Sequence, residues 1–112
     1  MYWAVFGDLE RAREEYDIAV ENADPGDPTA YSLRGWFYLQ TEQYGLCVED
    51  YNIRVELEPD DPWGYLERGD CYIGLGDVDR ARADYSTFLE MTSDVPEFFP
   101  EHERVEAWLS SN

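Results

Sequence analysis

The chain contains no lysine. Its eight basic residues are all arginine and face 26 acidic ones, so the formal net charge over 112 residues is −18. A surface of that sign repels phosphate backbones, which argues against nucleic acid and anionic membrane as partners. The acidity either steers basic partners or is an adaptation of solvation, and composition leaves both open. Cysteine is scarce too: Cys47 and Cys71 sit in no C-x-x-C or His-bearing cluster and are too few for a disulfide framework. They read as small core residues without a metal or redox role.

Long apolar runs are missing. Nothing approaches the roughly 18 residues that a membrane-spanning helix needs, and the opening "MYWAVFGDLE" has neither the basic flank nor the apolar stretch of a signal or anchor. A cytoplasmic placement is expected. The single histidine, His102, is flanked by Glu101 and Glu103, and neighbours along a helix point apart, so no ligand cluster follows. "DPGDP" at 24–28 and "EPDDP" at 58–62 lack the alternating acids and trailing Glu of a calcium loop and read as turns and caps. The chain has no G-x-S-x-G, P-loop or G-x-G-x-x-G motif, and no nucleophile with a convincing base. The expectation is a chain without catalytic residues, cofactor or metal.

Aromatic residues, by contrast, are plentiful at 16%, enough for one modest core in a chain of this length. They recur at a fixed interval. Pro25 and Pro59 are 34 residues apart, as are Pro28 and Pro62, Tyr31 and Tyr65, Gly35 and Gly69, Tyr38 and Tyr72, and Tyr51 and Tyr85. "GDLERAREEY" at 7–16 and "GDVDRARADY" at 76–85 share six of ten positions at twice that interval plus one, the extra residue falling within 19–25. "EQYGLCVEDY" at 42–51 is a diverged copy between them.

Each unit reads as two helices. Asp27-Pro28 and Asp61-Pro62 mark the start of the first, since Asp can cap free amides and Pro fits the opening turn. Within it Tyr31, Gly35 and Tyr38, and later Tyr65, Gly69 and Tyr72, share one inward face. A helix-interior Gly costs about 1 kcal/mol against Ala, so its recurrence implies that another helix approaches the backbone there. The second helix turns Ala12 and Tyr16, Cys47 and Tyr51, or Ala81 and Tyr85 inward. A last helix over "FPEHERVEAWLSSN" begins near Pro100 and faces Val105, Trp108 and Leu109 to the core, with a short turn at 96–99 before it.

The stretches "AYSLRGWFYLQTEQYGLCVEDYNIRVELEP" and "GYLERGDCYIGLGDVDRARADYSTFLEM" resemble the tetratricopeptide repeat family, over roughly residues 1–95. The resemblance implies an all-α, right-handed superhelix of about three helix-turn-helix repeats plus a C-terminal capping helix. A truncated repeat would occupy 1–27, full repeats 28–61 and 62–95, and the cap 96–112. The first repeat retains only "MYWAVF" of its first helix, which suggests a chain cut from a longer solenoid or a stub covered by another chain.

Departures from the family pattern are specific. Arg34 and Arg68 stand where Leu is more usual, Arg54 where a small residue is usual, and Ser93 in place of a closing Pro. Asp50 and Asp84 each lie 16 residues after one of the first two arginines, which predicts two structural ion pairs, Arg34–Asp50 and Arg68–Asp84.

In the family the first helix of each repeat lines a concave groove. Carried over by position, the groove would be lined by Ser32, Trp36, Leu39 and Gln40, then by Trp63, Leu66, Asp70 and Ile73. Trp36 and Trp63 are candidate anchors, or alternatively pack between repeats. Some members grip a C-terminal carboxylate with Lys, Arg and Asn, types missing from these positions. The implied function is a noncatalytic protein-interaction module whose partner is a protein or peptide, apolar with basic flanks. The alternative is a structural piece of a longer solenoid, or a subunit that self-associates as a homo-oligomer through residues 1–6.

Overall fold

The computed structural model describes residues 8–112. The stub at 1–6, and any self-association through it, lies outside the described residues. Among the described residues six α-helices follow one another: α1 (Asp8–Glu21), α2 (Thr29–Gln40), α3 (Tyr44–Leu57), α4 (Pro62–Leu75), α5 (Val78–Thr92) and α6 (Phe99–Ser111). A 3₁₀ turn at Pro96–Phe98 leads into α6. The helices pair as antiparallel neighbours, α2 with α3 and α4 with α5, and α3 packs in turn on α4. Stacked in this way they form a short superhelical solenoid.

The helix starts follow their Asp-Pro signals. Asp61 caps α4, its Oδ1 accepting the Trp63 amide at 3.0 Å, with Pro62 in the first position. α2 begins one residue later in its unit, with Pro28 at the N-cap, and the Asp27 carboxylate before it accepts the Thr29 amide at 2.9 Å, a bond that holds its carboxyl below the usual range. The recurrent glycines are contact points. A Cβ on Gly35 would meet the Tyr51 ring at 2.9 Å, and one on Gly69 the Tyr85 ring at 2.6 Å. Each second-helix tyrosine therefore brings an edge of its ring against the first helix of its own repeat, where only hydrogen fits.

Both predicted ion pairs are present and bidentate. Arg34 donates from Nε and Nη2 to Asp50 at 2.8 and 2.7 Å, and Arg68 donates to Asp84 at the same two distances. Each arginine also reaches back to the preceding repeat, Arg34 to Asp17 and Arg68 to Asn52, both at 3.0 Å. Tyrosine rings flank them: Tyr31 and Tyr38 lie 6.0 and 5.9 Å from the Arg34 carbon, Tyr65 and Tyr72 5.7 and 6.0 Å from that of Arg68. Hydrogen bonding to Asp50 raises the Arg34 pKa still further above its usual value. An arginine between two tyrosines thus ties three helices together at each repeat.

The core has two clusters. Phe37, Tyr38, Cys47, Tyr51 and Cys71 make the first; Leu66, Tyr85, Phe88 and Val105 make the second, closed by Trp108 and Leu109 of α6. The cysteines correct the expectation of plain core thiols. Both are fully buried, as a small core residue should be, but they are joined in a disulfide with Cα atoms 5.9 Å apart. The bond links the second helix of one repeat to the first helix of the next.

Candidate peptide groove

The first helices of successive repeats stand side by side. α2 touches α4, and α6 reaches α4 through Arg104 and Asp70, which are 34 residues apart and so occupy matching positions. Phe37, Cys71 and Val105, spaced by the same interval, are all at most 1% exposed. α6 thus occupies the place of a further first helix. Its residues Glu103 and Glu106, at the positions of Gly69 and Tyr72, leave its outer face polar.

Between α2 and α4 the face is polar and closely bonded. Arg54 donates to the Ser32 hydroxyl at 2.6 Å and to Asp61 at 2.7 Å. The Tyr51 hydroxyl donates to Glu67 and lies 3.2 Å from the Ser32 carbonyl. Burial pushes the Glu67 carboxyl above its ordinary range, against the pull of the Tyr51 hydrogen bond and of Arg54. Burial likewise raises the Tyr51 hydroxyl, with the Glu67 charge adding to it, so it stays a donor. Between α4 and α6 the second arrangement is related. Tyr85 donates to Asp70, which also takes Arg104 at 3.1 Å.

The predicted lining residues divide. Ser32 and Asp70 belong to these two polar arrangements. Trp63 is 38% exposed and Ile73 37%, seven residues before and three after Asp70, so all three share one face of α4. The Trp63 ring also leans on Phe98 of the 3₁₀ turn, centroids 5.0 Å apart. Trp36 is half-buried, Gln40 is exposed at the end of α2, and Leu39 packs on the first core cluster. Leu66 is a correction. At 2% exposure it belongs to the second core cluster, beneath the residues that α6 brings over it, and offers nothing to a groove.

Four residues of this face were missed from sequence. Leu33, three before Trp36, is 49% exposed. Its repeat counterpart is Glu67, and the pair lies one position past Ser32 and Leu66. Arg54 carried a signal as a departure from the family's small residue. Arg104 had none, because the diverged last unit hides the period.

Residues 64–94 match the family model described as tetratricopeptide repeat. No curated protein sequence matches the chain significantly. Among solved structures it is similar to the type III secretion translocator chaperone SycD of Yersinia enterocolitica, crystallised as an alternative dimer. That likeness has a TM-score of 0.81 and 21% identity, covering 94% of this chain and 79% of the other. It is also similar to the first tetratricopeptide repeat domain of Spaghetti (RPAP3) bound to the HSP90 peptide SRMEEVD. Here the TM-score is 0.66 at 24% identity, covering 93% of this chain and 87% of the other. At these identities the likeness concerns the fold. Residues 64–94 thus match a tetratricopeptide repeat, and the helical array that contains them shares its fold with the solved tetratricopeptide repeat domain of Spaghetti.

Proposed function

We propose that the chain is a noncatalytic protein-interaction module whose groove takes a partner segment that is apolar with basic flanks. The observation that carries this reading is the surface of α4. Trp63 and Ile73 remain more than one-third exposed on a face whose other members are the carboxylates Glu67 and Asp70, with Asp61 just before the helix. Apolar contact would supply affinity there, and the carboxylates would choose the sign of the flanks. Spaghetti is seen with an acidic peptide. On this chain such a ligand would face Glu67 and Asp70, and the two cations of the face, Arg54 and Arg104, are already taken by Asp61 and Asp70.

The test is selection from a displayed library of short random peptides. Apolar peptides with Arg or Lys on either side should be enriched, should bind less tightly as salt is added, and should lose about tenfold in affinity to W63A. Enrichment of acidic C-terminal sequences, or binding unaffected by W63A and W36A together, would defeat the proposal.

A second reading is self-association, favoured by the dimer named for the similar chaperone. Mass in solution across a range of concentrations separates the two. No cofactor or metal enters either reading. A cytoplasmic location would expose the disulfide to a reducing pool, against which the complete burial of Cys47 and Cys71 is the available shield.

A further inference from the structure

Asp70 is held and occupied by different groups. The hydroxyl of Tyr85, whose ring is fully buried, donates to Oδ1 from below. That anchor fixes the carboxylate whatever happens above it. The occupant is Arg104 of α6, with Nη1 3.1 Å from Oδ1 and Nη2 at 3.5 Å from Oδ2, the guanidinium carbon 6.0 Å from the centre of the Tyr85 ring. Oδ2 therefore has only a marginal donor. Arg104 is itself 51% exposed, so its hold is weak, whereas Asp70 is 24% exposed. The other repeat arginines differ. Arg68 grips a nearly buried Asp84 through two bonds of 2.8 and 2.7 Å and cannot leave without stranding it.

We infer that Asp70 is a subsite for an arginine side chain of the partner segment and that Arg104 is its resident substitute, displaced when the partner binds. The inference rests on the groove reading above and names one side chain of its ligand. Geometry supports arginine in particular, because the chain already seats a guanidinium there, against a tyrosine ring and a carboxylate fixed by a buried hydroxyl. Trp63 and Ile73 on the same face of α4 would take the apolar residues on either side. Removing Arg104 opens the subsite without touching its anchor.

The experiment selects short random peptides from a displayed library against the wild-type chain, R104A and D70N. Arginine should be enriched at one position among apolar residues in the wild-type pool, more so in the R104A pool, and not in the D70N pool. A synthetic peptide from the wild-type pool should bind R104A about threefold more tightly than wild type. Its arginine-to-citrulline version should lose that gain. Arginine equally frequent in the D70N pool, or R104A binding no more tightly than wild type, would overturn the subsite. Because Arg104 is half-exposed, R104A decides the matter even if D70N fails to fold. Apolar peptides without arginine in the wild-type pool would remove the subsite and leave the groove standing. A library that yields no binder to any of the three proteins would count against the groove, and the subsite would fall with it.

Discussion

Glu42 has a backbone φ of 59°, a left-handed conformation that side chains other than glycine adopt at a cost. It ends α2 in the position where Gly76, at φ 79°, ends α4. The two turns are built alike, since the Gln43 amide donates to the Tyr38 carbonyl at 2.8 Å and the Asp77 amide to that of Tyr72 at 2.9 Å. The next residue differs as well. Asp77 caps α5, its Oδ1 accepting the Arg80 amide at 3.2 Å, whereas Gln43 gives α3 no side-chain cap. The middle copy of the repeated phrase thus reads Glu-Gln where the others read Gly-Asp. Restoring it with E42G/Q43D should raise stability by about 1 to 2 kcal/mol, half from each change, as read from the shift of the urea midpoint.

At the scale of the helix pair, the arginine between two tyrosines holds α4 to α5 and reaches α3. Asp84 is 5% exposed, so replacing Arg68 with the family's more usual leucine leaves a nearly buried carboxylate without its cation. R68L should cost about 3 to 5 kcal/mol, and R68L/D84A should recover most of it, because a vacated pair costs less than half of one. Equal losses in the single and double variants would mean that arginine contributes by packing alone.

This ion pair was legible in the sequence, because two identical separations of 16 residues in two repeats are a periodic signal. So were the glycine contacts and the helix caps, which depend on local chemistry. The disulfide was not. Cys47 and Cys71 occupy different positions of the repeat, and no period relates them. The register does hold the missing clue: Ala12 and Phe37, and Ala81 and Val105, stand where the cysteines stand, one small and one larger residue at each junction between repeats. The groove was read less well. Position alone placed Leu66 on the open face, but α6 packs over it, and no repeat pattern announces a helix whose sequence has diverged.

Across the whole molecule, stability in such a stack combines that of each repeat with that of each interface. Here α4 serves both core clusters, giving Cys71 to the first and Leu66 to the second. Charge does not hold the ends together. Among the described residues, the arginines at 34, 54, 68, 80, 82 and 104 are engaged in ion pairs within the chain, and the large acidic excess that is left repels itself. The covalent link between repeats then matters more than in a neutral solenoid. Closing a loop between cysteines 24 residues apart should contribute about 3 kcal/mol by restricting the unfolded chain. Urea unfolding with and without reductant measures it directly. The oxidised chain should unfold at the higher midpoint, and C47A/C71V, which installs the small and larger pair of the other junctions, should be indifferent to reductant. Identical curves for the wild-type chain in both conditions would show that the two sulfurs pack without being joined.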